Sequence, residues 1–196
     1  MEGGDRAGDT HVAGFVLVGG RSSRMGRDKA LLPTGSRTLA EHIAESVRQA
    51  VGNVTLIGDP EKYTPLGLPV IADAVKERGP LGGIYTALLH SQTDWNLVVA
   101  CDMPGVTPDF LRALIEAAGS SPQTCVVSQG PGGIEPLCAV YHRRLLPSLE
   151  SALRDMRLKM KDFLQKQNPG LWPVADAAAA ALRNVNTPEE WRREVP

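Results

Sequence analysis

The residues of this chain that could do chemistry fall into a few short segments, and the first is the densest. Leu17 to Ala30 reads LVGGRSSRMGRDKA. Gly19, Gly20 and Gly26 let a backbone turn sharply and approach a ligand closely. Their N–H groups, with the hydroxyls of Ser22 and Ser23, can donate to phosphate oxygens. Arg21, Arg24, Arg27 and Lys29 put four cations within nine residues, the compensation that a triphosphate needs. The segment is not a Walker loop, because no Lys-Ser or Lys-Thr follows Gly26, nor does it match the dinucleotide G-x-G-x-x-G pattern. A solvated basic turn is the bland alternative. The position of the segment, directly after an apolar run, weighs against it.

Asp102, in Cys101-Asp102-Met103-Pro104, sits where a second apolar run ends. A lone carboxylate there can bind Mg²⁺ if phosphates and waters complete the octahedron, and it reads equally as a cap or turn residue before Pro104. Asp73 could hold a ribose hydroxyl or a base edge, or serve as a helix cap or salt-bridge partner. Gly79-Pro80-Leu81-Gly82-Gly83 allows close backbone approach, for instance to a flat base, and is otherwise a tight connection. Asn184 to Pro188 and Glu135-Pro136 carry little signal alone. Arg154, Arg157, Lys159 and Lys161 form a basic run that suits a solvated helix face and could attract an anionic substrate.

The elements that must position these residues alternate. Val12 to Val18 is a short apolar strand suited to burial on both faces. Leu39, Ile43, Val47 and Val51 form the stripe of a helix starting near Thr38. Val54 to Ile57 and Pro69 to Ala72 read as strands, Leu81 to Leu89 as a helix, and Trp95 to Cys101 as a buried strand. Thr107-Pro108 opens a helix by its cap and its proline, with Gly119 as its stop. Thr124 to Ser128 and Leu137 to Tyr141 are further strands. Helices follow over Arg143 to Leu153 and Lys159 to Gln165. Ala177 to Ala181 suits a helix or packed turn, and Thr187 to Glu190 is a capping box opening a last helix. This rhythm predicts a three-layer α/β fold with a mostly parallel central sheet and helices on both faces. Such sheets bind ligands beyond the carboxyl ends of their strands, where the segments after Val18, Ile57, Ala72 and Cys101 lie.

Length and composition bound the answer. With 196 residues the chain is expected to form one domain, from residue 12 to 196, behind a mobile polar tail at residues 1–11. The net charge of −1 argues against nucleic acid or an anionic membrane as the main partner, since both demand a cationic surplus. No apolar run is long enough for a membrane span, and residues 1–10 have no apolar core of a secretory signal. The three cysteines are odd in number and widely spaced, which disfavours disulfides and zinc and suits a reducing cytoplasm.

Taken in order, LxGG-x-S-x-RMG-x-DK, an Asp after the third strand, GPLGG, CDMP, EPLCAVY and NVNTPEE resemble the molybdenum cofactor guanylyltransferases, over nearly the whole chain from Val12 to Trp191. The resemblance implies a Rossmann-like nucleotidyltransferase fold and the transfer of GMP from GTP to molybdenum-bound molybdopterin. It implies GTP contacts at Leu17, Val18, Gly19, Gly20, Lys29, Asp73, Leu81 and Gly82, with a further contact near Gly58-Asp59. It implies Mg²⁺ on Asp102, and Lys29 and Arg24 on the phosphates. Asn184 to Pro188 and the Arg154 to Lys161 run would lie toward the pterin. Implied partners are GTP, molybdenum-molybdopterin and, transiently, molybdenum-insertion proteins or acceptor molybdoenzymes. The LxGG and GPLGG forms resemble the guanine-using members, although Val18 replaces their common Ala and either lines the base pocket or points into the sheet. Alternatives are cytidylyl transfer to molybdopterin and a GTP-binding protein without catalysis.

Overall fold

The computed structural model describes residues 11–19, 28–185 and 190. Among them a seven-stranded sheet is built from β1 (Val12–Leu17), β4 (Thr55–Ile57), β5 (Val70–Ile71), β6 (Trp95–Ala100), β7 (Cys125–Gly130), β8 (Gly133–His142) and β9 (Gly170–Pro173). A small hairpin pairs β2 (Pro33–Thr34) with β3 (Arg37–Thr38). The sheet order is β5-β4-β1-β6-β8-β7-β9. Every neighbouring pair is parallel except those made by β8, which runs antiparallel to both β6 and β7. The mostly parallel sheet is therefore as expected, while the reversed β8 was not foreseen. Its cause is local: only two residues, Pro131 and Gly132, separate β7 from β8, which opens on Gly133 at φ +107, and so short a turn can only reverse the chain.

Each central strand alternates its side chains between two cores. Val16, Leu97 and Val99 face one side with α1 (Leu39–Val51) and α4 (Pro108–Gly119). Phe15 and Val98 face the other with α3 (Gly79–His90), α5 (Leu146–Arg154) and α6 (Met160–Gln167). The period of two in a strand makes both faces apolar, so the runs read as continuously hydrophobic. In α1, Leu39, Ile43 and Val47 are fully buried. Each contributes on the order of 1.5–3 kcal/mol by leaving water. Thr38 starts this helix with a reciprocal capping box to Glu41, and Gly52, left-handed at φ +80, ends it. The helix lies close to β1 because Gly14 has no side chain: a Cβ there would meet Asn53 O at 2.7 Å and the Val47 side chain.

Several elements depart from the sequence expectations. A short helix, α2 (Pro60–Tyr63), enters after β4 behind an Asp59 cap. The edge strand β9 and a 3₁₀ turn over Asp176–Leu182 complete the described fold. The helix expected from Arg143 divides into a 3₁₀ turn (Arg143–Leu145) and α5, with Pro147 in its first turn. The capping box at Thr187 and the tail at residues 1–10 lie outside the described residues. No helix among the described residues is long and apolar enough to cross a membrane. All three cysteines are buried and unpaired.

Candidate active site

The chain leaves β1 for one side of the sheet, toward β4 and β5, and returns through α3 to β6 on the other side of β1. Between β1 and β6 the direction of winding reverses, and the loops diverge to open a crevice. A cavity of about 950 Å³ occupies that place. Leu17, Val18, Gly19, Lys29, Asp73 and Asp102, singled out in the sequence and carried by four different loops and turns, all line it.

The end of β1 approaches β4 closely. Val18 N donates to Ile57 O at 2.9 Å, and a Cβ on Gly58 would lie 2.5 Å from Val18 O. Gly19 is left-handed, at φ +93, where a side chain would be strained. Val18 presents backbone to the crevice while its side chain, 4% exposed, belongs to the α1/α4 core. The extra methyl groups relative to Ala therefore add to the core.

Lys29 is carried by a 3₁₀ turn (Lys29–Leu31) whose cap is Asp28. Asp28 Oδ1 accepts from Ala30 N at 3.1 Å, and its Oδ2 accepts from the Tyr63 hydroxyl at 2.7 Å. Tyr63 is 1% exposed and its ring lies beneath Gly19 and Gly58. Burial, and then the bond to Asp28, hold its phenol far above its ordinary value, so it stays a donor. The turn delivers the Lys29 ammonium to 3.8 Å from Asp102 Oδ2.

Asp102 is fixed from several directions. Met103, fully buried, anchors the loop in the α1/α4 core. His42 Nε2 from α1 is 3.1 Å from Pro104 O. Gly105 packs against the backbone of Ala180 and Ala181, and Val185 N donates to Asp102 O at 2.8 Å. Thr107, not Asp102, caps α4, which removes the alternative role as a cap. Burial raises the Asp102 carboxyl above the usual range and Lys29 opposes that rise. Cys101 beside it is buried and pushed up to about 12, so it is no nucleophile at neutral pH.

Asp73 follows β5, where the loop is held by Ala74 N donating to Thr86 Oγ1 at 3.0 Å. It caps no helix and makes no ion pair with another described residue. Its tip is open to solvent, yet it lies in a concavity, and the surrounding protein raises its carboxyl. The glycine segment divides between core and crevice. Leu81 is fully buried in the α3 core, and Gly82 faces Arg78 and Val75 rather than the cavity. Gly79, Pro80 and Gly83 line the crevice, with Gly83 four and three residues on from the other two and so on the same face of the helix. Gly20 and Arg24 lie outside the described residues, as do Ser22 and Ser23.

Sequence reasoning missed Tyr63, Thr86 and Leu137, and left Glu135 without a role. Glu135 and Leu137 stand in a β8 bulge: Val127 pairs with Ala139 while Ser128 pairs with Glu135. Glu135 accepts from Leu137 N and Asn184 Nδ2, both at 3.2 Å, and burial raises its carboxyl, with the Asp102 charge adding to the rise. The signal for Tyr63 was an Asp-Pro helix start after β4. The bulge had none beyond Pro136, which cannot donate to a ladder.

The model of the MobA-like NTP transferase domain matches residues 14–170. The chain is 34% identical over 180 residues to a Flavobacterium johnsoniae protein named "Probable molybdenum cofactor guanylyltransferase", covering 90% of this chain and 92% of that one. It is 30% identical over 185 residues to a molybdenum cofactor guanylyltransferase of Vibrio parahaemolyticus, covering 92% and 93%. Among solved structures, molybdopterin-guanine dinucleotide biosynthesis protein A of Archaeoglobus fulgidus superposes with a TM-score of 0.82 at 26% identity, over 94% of this chain and 97% of that one.

Proposed function

We propose that this chain, which belongs to the family of MobA-like NTP transferase domains, transfers GMP from GTP to the terminal phosphate of molybdenum-bound molybdopterin. The products are the guanine dinucleotide form of the cofactor and pyrophosphate. An oxygen of the acceptor phosphate bonds to the α-phosphorus of GTP. The bond from that phosphorus to the bridging β-oxygen breaks, and its electron pair leaves with pyrophosphate. The acceptor is already an anion, so no side chain need act as nucleophile or remove a proton. The task of the protein is to bring two anions together in line and to neutralise the leaving group.

The observation that carries this reading is the juxtaposition of Lys29 and Asp102, 3.8 Å apart across the switch point of the sheet. Lys29 suits the α- and β-phosphates. Asp102 suits Mg²⁺: its carboxylate stands near a second one, Glu135, and no group of three or more His, Cys, Asp or Glu among the described residues forms a protein-only cage. A hard cation held by one or two carboxylates and completed by phosphate oxygens and water fits that donor set. When bound, Mg²⁺ supplies charge neutralisation at the departing pyrophosphate. Leu17, Val18, Gly19 and Asp73 face the nucleoside, joined by Gly79, Pro80 and Gly83. The described wall carries five carboxylates against three cations, so the reading assigns the remaining phosphate compensation to residues 20–27, Arg24 above all. Residues 12–196 act as one unit in this reading. Three unpaired thiols suit a reducing cytoplasm, and molybdenum-insertion proteins or acceptor molybdoenzymes are its transient partners.

The test is pyrophosphate release with Mg²⁺ and molybdenum-loaded molybdopterin, with GTP and CTP in parallel. Release with GTP alone is expected. Release with CTP alone would overturn the choice of base, and GTP binding without release would overturn the enzyme.

A further inference from the structure

Asp73 lines the crevice from a segment that the sheet cannot hold. Strand β5 is an edge strand of two residues, and it pairs with β4 alone. Gly58 N donates to Ile71 O at 3.0 Å, and there the pairing stops. From residue 72 to 78 the chain runs without regular structure until α3 begins. Its course is not a relaxed one, since Glu77 is left-handed at φ +58, a conformation that costs energy for a residue with a Cβ. The shape of the segment must be imposed from outside, and one face of α3 does so. Gly82 and Thr86 stand four residues apart and share that face. At Gly82 the segment packs on bare backbone: a Cβ there would meet Val75 O at 3.1 Å and the Arg78 Cβ at 2.9 Å. At Thr86, fully buried, Oγ1 accepts from Ala74 N at 3.0 Å and donates to Gly82 O at 2.8 Å. The hydroxyl has one proton and gives it to its own helix, which leaves a lone pair fixed toward Ala74. Among the described residues this bond is what ties residues 72–78 to a side chain, and it lands next to Asp73.

We propose that Thr86 is a positioning residue for the nucleotide: by fixing Ala74 it holds the Asp73 carboxylate where the nucleoside of GTP meets the crevice. The proposal rests on the part of the guanylyltransferase reading that sets Asp73 against the nucleoside. Thr86 itself lies behind the crevice wall, and its hydroxyl acts through one backbone N–H. Without that hydroxyl Ala74 N turns to water, the segment gains freedom, and binding GTP must order it again at a cost in affinity. Lys29 and Asp102 are carried by the turns after β1 and β6, which Thr86 does not touch, so turnover at saturating GTP is left alone.

GTP titrations of the full chain with Mg²⁺ test this, paired with pyrophosphate release at saturating GTP and molybdenum-loaded molybdopterin. Thr86→Val keeps the branched shape and deletes the hydroxyl. It is expected to weaken GTP binding about tenfold, the size of one lost hydrogen bond, and to leave kcat within about twofold of wild type. Thr86→Ser keeps the hydroxyl and should hold GTP within about threefold of wild type. Asp73→Ala should weaken binding by itself, and adding Thr86→Val to it should weaken binding no further, because both remove one device. Thermal unfolding shows that the variants are folded. If Thr86→Val is not, Thr86→Ala, whose helix propensity is higher, carries the same expectations. Unchanged GTP affinity in the folded Thr86 variant, an equal loss in Thr86→Ser, wild-type affinity in Asp73→Ala, or additive losses in the double variant would each overturn the proposal. A wild-type chain that binds no GTP overturns the guanylyltransferase reading and the role of Thr86 with it. A wild type that binds GTP and releases no pyrophosphate overturns that reading alone, because the titrations still decide the role of Thr86.

Discussion

Lys29 can reach Asp102 because other residues hold its turn in place. Asp28 caps the turn with one oxygen and takes the Tyr63 hydroxyl on the other, so the phenol, buried beneath Gly19, sets where the ammonium points. Two predictions belong to this scale. On the proposed mechanism Lys29→Ala removes a cation meant for the phosphates and Asp102→Asn a carboxylate meant for Mg²⁺, and each should lower kcat about 10²- to 10³-fold, the usual cost of losing one electrostatic stabiliser. A pyrophosphate-release assay at saturating GTP checks it, and wild-type turnover in either variant would sink the mechanism. Tyr63→Phe keeps the ring and deletes only the hydroxyl. It should cost about 1 kcal/mol in a denaturant titration and raise the KM for GTP several-fold, since Asp28 then has one partner fewer. An unaltered KM would mean that the turn is fixed by its cap alone. The sequence pointed to Lys29 and Asp102 through charge and position. The helix that carries Tyr63 left a local signal in Asp59-Pro60, but its bond to Asp28 left none, because a contact over 35 residues has no local pattern.

At the scale of elements, the site is made by how closely the end of β1 lies against the start of the β4 loop. Gly58 is the position that permits it, with Val18 O where a Cβ would have to be. Gly58→Ala should push these two segments apart, destabilise the fold by roughly 1–3 kcal/mol and weaken GTP binding. Thermal unfolding and a GTP titration measure both, and a variant as stable as wild type would show that the loop gives way without cost. The apolar stripe of α1 and its Thr38 cap were legible because period and capping are local. The antiparallel β8, its bulge and the edge strand β9 were not. A buried strand looks alike in either direction, and a bulge is a disagreement in register between two strands rather than a property of one.

Across the whole molecule, the crevice lies at the carboxyl ends of the parallel strands, and the opposite end of the sheet carries a group that links stability to pH. His142 pairs with Trp95 at the lower end of β6 and β8, with the ring centroids 4.7 Å apart. Its Nδ1 accepts from Arg144 N at 3.1 Å. Burial lowers its pKa below 6.5, and Arg144 adds to that against an opposing Asp94. The unfolded chain therefore takes up the proton first. The contribution of His142 to stability is whole above about pH 6.5, and it declines as pH falls through the lower folded value. Unfolding free energy measured against pH should decrease over that window. His142→Asn, whose carbonyl can accept the same N–H, should flatten it, and an equal slope in both proteins would assign the effect to other groups. By itself the sequence determined the alternation of strands and helices, and it singled out Lys29, Asp73 and Asp102, which share one cavity. Those properties depend on period, charge and glycine content within a few residues. Only the tertiary structure decided that Leu81 is buried in the α3 core, that the Val18 side chain fills the α1/α4 core, and that Glu135 bonds Asn184 across 49 residues. These outcomes depend on which distant segments share a register, and that is set by the packing of the two cores as a whole.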